Sequence, residues 1–207
     1  MEAQEKILIG SIELFLKYGI KSVTMDFIAE ELGVSKRTIY EHFADKTTLL
    51  TEGLKYNGQF HQQKIEKLLA ESANAIEGLY LIGLENHKKM SQINPSFFID
   101  LHKHYPKVYE AVNRGFLEAS RLLMEHLFRQ GIDDEIFESR YEVDKLGIVW
   151  QKFGEIISRD VDNFGEAEQK NIWHKHFMLP FLSGLCTPKG RELLERYFDS
   201  NTGELNV

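Results

Sequence analysis

Two short helical segments separated by a glycine stand out in residues 27–43, the stretch FIAEELGVSKRTIYEHF. Each segment carries apolar residues four positions apart, which places them on one face of a helix: Ile28 and Leu32 in the first, Ile39 and Phe43 in the second. Thr24 and Ser35 precede the two segments and offer hydroxyl caps. Gly33 permits a sharp reversal of the chain, and Ala29 is small enough for the helices to cross closely. This spacing is typical of a helix-turn-helix.

The remainder of the chain also has helical periodicity. Apolar residues recur every three to five positions, whereas the alternation of period two that marks strands is hard to find. Only 4 Pro interrupt the 207 residues, and Pro95, Pro106 and Pro188 stand at or near expected helix starts. Asp45 is expected to cap a fourth helix that runs to about Glu71, on the order of 40 Å at 1.5 Å per residue. We therefore predict an all-α protein.

The charge of the chain restricts how it can bind nucleic acid. The formal net charge is -7, which excludes a protein that coats nucleic acid by bulk electrostatics. Even the first fifty residues hold six Lys or Arg against eight Asp or Glu. Lys36 and Arg37 are adjacent at the start of the second short helix, but such a pair is usually only solvated. Any contact with DNA must therefore be local, and its residues must be identified by position.

Residues 19–50 resemble the amino-terminal domain of the TetR/AcrR family of bacterial transcriptional regulators. The matching residues follow one another without a gap: Gly19, Thr24, Ile28, Ala29, Leu32, Gly33, Val34, Ser35, Tyr40, Phe43, Lys46 and Leu49. Beyond them the chain agrees with the family in length and helical character only. The resemblance implies a three-helix helix-turn-helix domain in residues 1–47. A long helix would join it to a larger helical domain in residues 48–207, which binds an effector and dimerises.

The resemblance also implies which residues contact DNA. They are Thr24, Ser35, Lys36, Arg37, Thr38, Tyr40, His42 and Lys46. Lys36 and Arg37 would reach the guanine edge in the major groove, while Tyr40 and His42 would contact phosphates. The charge of Lys46 and the free amides of its helix start would both face a phosphate. The sequence departs from the family at Met25 and Asp26, where a small polar or cationic residue is frequent, and at Arg37, where many members have Gly.

An effector pocket is expected between about residue 60 and residue 180. The region is rich in aromatic residues that suit an aromatic or lipophilic ligand: Phe97, Phe98, Tyr105, Tyr109, Phe116 and Phe128. Aromatic residues at helical spacing are more often part of a core, so either role remains open for each of them.

A dimer interface is expected from two apolar stripes near the carboxy terminus. One stripe includes Trp150, Phe153 and Ile157, and the other includes Phe177 and Phe181. Two such helices from each subunit can form a four-helix interface. The alternative is that both stripes face the core of their own chain.

Other classes of protein receive little support from the sequence. His102 and His104 are two positions apart, as are His174 and His176, so neither pair shares a helix face for chelation. No nucleophile–base pair or glycine-rich phosphate loop stands out, and we expect neither an enzyme nor a cofactor. The single cysteine excludes an intramolecular disulfide and suits a reducing compartment. The longest uncharged run, residues 177–188, is too short to span a bilayer, so we expect a cytoplasmic protein without a membrane partner.

These observations predict a regulator of transcription. We expect a homodimeric repressor that binds double-stranded operator DNA and is released by a small lipophilic or aromatic effector. The alternative is a helical adaptor or enzyme whose helix-turn-helix binds protein rather than DNA. The negative net charge of the chain is the main support for this alternative. A phosphate-contacting dimer loses affinity steeply with salt, whereas an apolar protein interface does not.

Overall fold

The computed structural model describes residues 3–159 and 174–199, which are helical apart from short connections and an isolated β-bridge between Phe137 and Cys186. The helices in chain order are α1 (Ala3–Tyr18), α2 (Met25–Leu32), α3 (Lys36–His42), α4 (Lys46–Glu71), α5 (Ala75–Ser91), α6 (Pro95–His104), α7 (Pro106–Asp133), α8 (Val143–Arg159), α9 (Leu179–Leu185) and α10 (Pro188–Leu194). Single π-helical turns occupy His174–Met178 and Glu195–Asp199. The all-α prediction is confirmed. None of the described helices combines the length and the apolar character that crossing a membrane requires.

The caps of the first helices are those that the sequence predicted. The amide of Phe27 donates to the Thr24 hydroxyl at 3.1 Å, and the amide of Thr38 donates to the Ser35 hydroxyl at 3.0 Å. Asp45 accepts the amide of Thr48 at 2.7 Å, and this bond holds the pKa of the Asp45 carboxyl below its usual range. These side chains satisfy amides that a helix start leaves without partners.

The described residues divide into two compact units. The first falls within residues 1–64 and 90–114, and the second within 65–89 and 115–207. Helices α4, α5 and α7 each pass from one unit into the other. Compactness describes packing rather than function, so a functional boundary at residue 47 stays a prediction.

The first unit combines the amino-terminal helices with α6. Its core contains fully buried side chains from four helices, among them Phe15, Ile28, Ile39, Phe43 and Leu49. Helix α6 is attached to the end of α1 by Asn94, whose amide donates to the Leu16 carbonyl at 2.8 Å. The amide of Lys21 also donates to the Asp100 carboxylate on α6 at 2.7 Å. Helix α6 is therefore held within the first unit.

The second unit has its own core beneath the corner between α9 and α10. Its buried side chains include Ile76, Leu127, Phe128, Phe137, Leu182 and Cys186. The amide of Thr187 donates to the Ile136 carbonyl at 3.0 Å, and the amide of Glu138 donates to the Leu185 carbonyl at 2.9 Å. These bonds fix the corner to the segment that follows α7.

The buried thiol of Cys186 is expected to resist alkylation in the native protein. Burial raises its pKa to about 11, so at pH 8 only about one thiol in a thousand is the reactive thiolate. Iodoacetamide should therefore label Cys186 slowly in buffer and quickly in denaturant, as measured by intact-protein mass spectrometry. The unfolded thiol ionises at lower pH than the folded one, so stability should fall as the pH rises from about 9 to 11. Equal labelling rates with and without denaturant would contradict this burial.

Candidate nucleic-acid interface

Helix α3 is anchored by one face and exposed on the other. Ile39 and Phe43 are fully buried in the first core, as is Ile28 on the preceding helix. Gly33 adopts the left-handed conformation, with φ 63° and ψ 37°, and the amide of Val34 donates to the Ala29 carbonyl at 3.0 Å. The turn between α2 and α3 therefore fixes the direction in which α3 projects.

Most of the residues predicted to contact DNA lie on this exposed surface. Thr24, Ser35, Lys36, Arg37, Tyr40 and His42 are exposed, and Thr38 is half-buried. The hydroxyls of Ser35 and Thr38 lie 2.7 Å apart and are hydrogen-bonded to each other. The structure thus brings six of the eight predicted residues together at Ser35 and along α3, with Thr24 at the start of α2.

Both cations of α3 form ion pairs within the helix-turn-helix. Lys36 Nζ lies 2.8 Å from Asp26 Oδ1 and donates to Oδ2 at 2.9 Å. Arg37 Nε donates to Glu41 Oε1 at 2.9 Å. The hydrogen bond to the Asp26 carboxylate raises the pKa of Lys36. The cations remain accessible, since the side chain of Arg37 is 89% exposed.

Lys46 lies in a different environment from the one predicted for its charge. Its Nζ donates to the Ile20 carbonyl at 2.6 Å and lies 5.7 Å from the centre of the Phe15 ring. Partial burial lowers the pKa of this ammonium group. The ammonium group therefore ties the start of α4 to the end of the α1 region instead of facing outward. Contact of Lys46 with a DNA phosphate stays a prediction.

The aromatic residues predicted for the effector pocket do not form one cluster. Phe97 is buried in the first core, and Phe98, Tyr105 and Tyr109 pack partly against that core. Phe128 is fully buried in the second core, with its ring centre 5.6 Å from that of Phe137. Phe116 is 57% exposed. Their contact with an effector stays a prediction.

The residues predicted for the dimer interface make contacts within their own chain. The ring of Phe153 lies 4.1 Å from that of Phe177 and 6.0 Å from that of Phe181, between centres. Trp150 Nε1 donates to the Ser120 hydroxyl at 3.1 Å. The side chain of Ile157 lies outside the described residues. The role of these residues in a dimer interface stays a prediction.

Three aliphatic side chains of α8 are exposed on the side that also carries the exposed Lys145 and Lys152. Ile148, Val149 and Ile156 are each more than a third exposed, and they follow helical spacing on one side. The sequence pattern did not mark Ile148 and Val149, which lie beside the predicted stripe rather than on it.

The helix-turn-helix matches a known family. Residues 7–52 match the model of the bacterial regulatory proteins of the tetR family. The chain is also 42% identical over 55 residues to an uncharacterized HTH-type transcriptional regulator, YerO, of Bacillus subtilis (strain 168). That match spans 27% of this chain and 19% of the length of that protein. The family match therefore lies in the region that contains the helix-turn-helix.

Solved structures resemble nearly the whole chain in fold. A TetR-family regulator from Cytophaga hutchinsonii superposes with a TM-score of 0.66 at 15% identity, covering 90% of this chain and 96% of the other. The fatty acid degradation regulator FadR from Bacillus halodurans superposes with a TM-score of 0.60 at 18% identity, covering 94% and 95%. At these identities the likeness concerns the fold, which both proteins share with this chain over nearly their full lengths.

Proposed function

We propose that this chain is a homodimeric repressor, which a small lipophilic or aromatic effector releases from operator DNA. Its helix-turn-helix matches the TetR family of transcriptional regulators. The observation that carries the proposal is the exposed face of α3. Lys36, Arg37, Tyr40 and His42 are presented together, while buried Ile39 holds the helix rigidly to the first core.

The chemistry of this face suits the major groove of DNA. The groove admits an α-helix, and Lys and Arg are the side chains that most often bind the O6 and N7 atoms of guanine. Tyr40 and His42 follow on the same helix, where a hydroxyl and an imidazole can bind phosphate oxygens and fix the register. We assign base reading to Lys36 and Arg37 and backbone contacts to Tyr40 and His42.

The dimer is proposed to form through the exposed face of α8. Ile148, Val149 and Ile156 present apolar side chains to solvent, and a second copy of the chain would cover them across a two-fold axis. Trp150 donates to Ser120 of the same chain, and the ring of Phe153 contacts those of Phe177 and Phe181. Two α3 helices in one dimer would then read half-sites about one helical turn apart, roughly 34 Å.

The proposed effector is lipophilic. The second unit has a large apolar core, and the structurally similar FadR of Bacillus halodurans is a regulator of fatty acid degradation. An effector releases the repressor only if it binds the non-binding state more tightly, with a coupling of typically 1–3 kcal/mol. Long-chain acyl compounds are the first candidates.

The proposal is tested by footprinting the purified protein on the DNA upstream of its own gene. We expect a protected site with two-fold symmetry that is lost on addition of acyl compounds, and a dimer by light scattering. The logarithm of the affinity should fall linearly with the logarithm of salt concentration, with a slope of about -0.9 per phosphate contacted. Absence of binding to this DNA and to selected random duplexes would overturn the proposal. Binding to a protein partner with little salt dependence would instead favour an adaptor.

A further inference from the structure

The recognition surface carries carboxylates that compete with DNA for its own cations. Asp26 lies in the first turn of α2, and Lys36 lies ten residues later at the start of α3. Their ion pair, at 2.8 Å, joins the two helices and directs the lysine toward α2. Asp26 is open to solvent, with 72% of its side chain exposed, so it would also meet the negative potential of a bound duplex.

We infer that Asp26 is a specificity-determining residue, which holds Lys36 in an internal ion pair on non-operator DNA and releases it only to a guanine edge. This inference rests on the proposed function. It assigns to Asp26 a positioning role that acts through Lys36, and it assigns to the pair the suppression of non-specific binding.

The physical basis is a difference between the two ligands that compete with Asp26. A DNA phosphate offers Lys36 the same single negative charge as the carboxylate, so the exchange gains little. The released carboxylate then faces the phosphates and is repelled. A guanine edge offers two aligned acceptors in the groove. These acceptors attract the charge of a correctly placed lysine and also accept its hydrogen bonds. The carboxylate therefore penalises phosphate contacts more than base contacts.

The salt dependence of binding follows from the same pair. A lysine that neutralises a phosphate releases condensed counterions, and this release supplies most of non-specific affinity. A lysine already neutralised by Asp26 contributes little to this release of counterions. The pair of Arg37 and Glu41 differs, because it lies within one helix at positions i and i+4 and does not connect α3 to α2.

Glu30 provides a matched control for Asp26. It lies one turn further along α2, on the same side and exposed, and Glu30→Gln changes the net charge by the same amount as Asp26→Asn. The Asp26→Asn variant also keeps a polar side chain at the helix start. A difference between the two variants therefore reports the ion pair with Lys36 rather than net charge.

The test compares binding of both variants to a selected operator and to a random duplex, by fluorescence anisotropy at several salt concentrations. Relative to Glu30→Gln, we expect Asp26→Asn to bind the random duplex about two- to five-fold more tightly, the range for an exposed ion pair. Its salt slope on that duplex should be steeper by up to about 0.9 for each subunit that binds. The ratio of operator to random affinity should fall accordingly.

The same measurement in a Lys36→Gln background separates the positioning role from a structural one. In that background the Asp26→Asn and Glu30→Gln variants should have the same affinity and the same dependence of affinity on salt. Equal behaviour of the two variants with Lys36 present would overturn the inference while leaving the proposed function intact. Failure of the wild-type protein to bind any duplex would overturn both.

Discussion

Replacing Lys36 and Arg37 together by alanine is expected to abolish operator-specific binding. A good side-chain contact to a base edge contributes about 1–3 kcal/mol of discrimination, and a dimer with two reading helices would lose four such contacts. The sum, roughly 4–12 kcal/mol, is as large as the difference of about 4–10 kcal/mol that usually separates specific from non-specific binding. The variant also leaves Asp26 and Glu41 without their cations, which adds repulsion. Anisotropy with the operator and with a random duplex should give equal, weak affinities.

The fold of this double variant should be unchanged. Both side chains are exposed, and exposed ion pairs contribute at most about 1 kcal/mol each. Ile39 and Phe43 still anchor α3, and alanine has the highest helix propensity. Circular dichroism and light scattering should match the wild type. The control is the Arg129→Ala, Lys175→Ala variant, which removes two exposed cations from the second unit and should retain operator affinity. Wild-type affinity in the Lys36, Arg37 variant would refute the contact assignment.

The helix-turn-helix was predictable because its determinants are local in the chain. The caps at Thr24 and Ser35 bond amides three residues away, and the left-handed turn at Gly33 needs only the residue itself. The apolar residues of α2 and α3 then meet across that turn. Such features depend on spacing that the sequence displays directly.

The remaining features of the site depend on contacts between distant parts of the chain. The Ile20 carbonyl accepts a hydrogen bond from the ammonium group of Lys46, which lies 26 residues later. No local pattern in the sequence marks this carbonyl as the acceptor. Asp26 was recognisable as a carboxylate on the surface predicted to bind DNA, but its pairing with Lys36 requires the crossing geometry of two helices. The sequence therefore predicted the exposed surface of α3, but it did not predict which partners its charged side chains have.

Aromatic periodicity likewise left the location of each ring open. Phe97 and Phe128 occupy different cores, whereas Phe116 is exposed, although all three lie in helices of the same general character. Helical spacing defines a face of a helix but not the element that covers it. For the same reason the sequence leaves open whether the aromatic stripe of α8 faces a partner subunit or the core of its own chain.

Replacing Gly190 by alanine is expected to destabilise the second unit by roughly 3 kcal/mol. A Cβ at this position would overlap the Ile136 carbonyl oxygen and lie 3.1 Å from the Cβ of Cys186. The obstructing atom belongs to the backbone, so relief requires α10 to move, and overpacking of this kind costs about 1–3 kcal/mol. That movement would also strain the bond from the Gly190 amide to the Thr187 hydroxyl, 3.1 Å long, for about 1 kcal/mol more. Urea unfolding followed by circular dichroism measures the loss.

Gly184 supplies the control, because it has the opposite environment in the neighbouring helix. It is exposed in α9, and a Cβ there would meet nothing within 4 Å. Alanine should therefore stabilise the protein by about 0.5–1 kcal/mol, since it restricts the unfolded chain and favours the helix. The two glycine substitutions thus have opposite expected signs although they lie six residues apart. A Gly190→Ala variant as stable as the wild type would show that α10 does not pack against the Ile136 carbonyl. The packing of α10 on the second core would then be different from the one described.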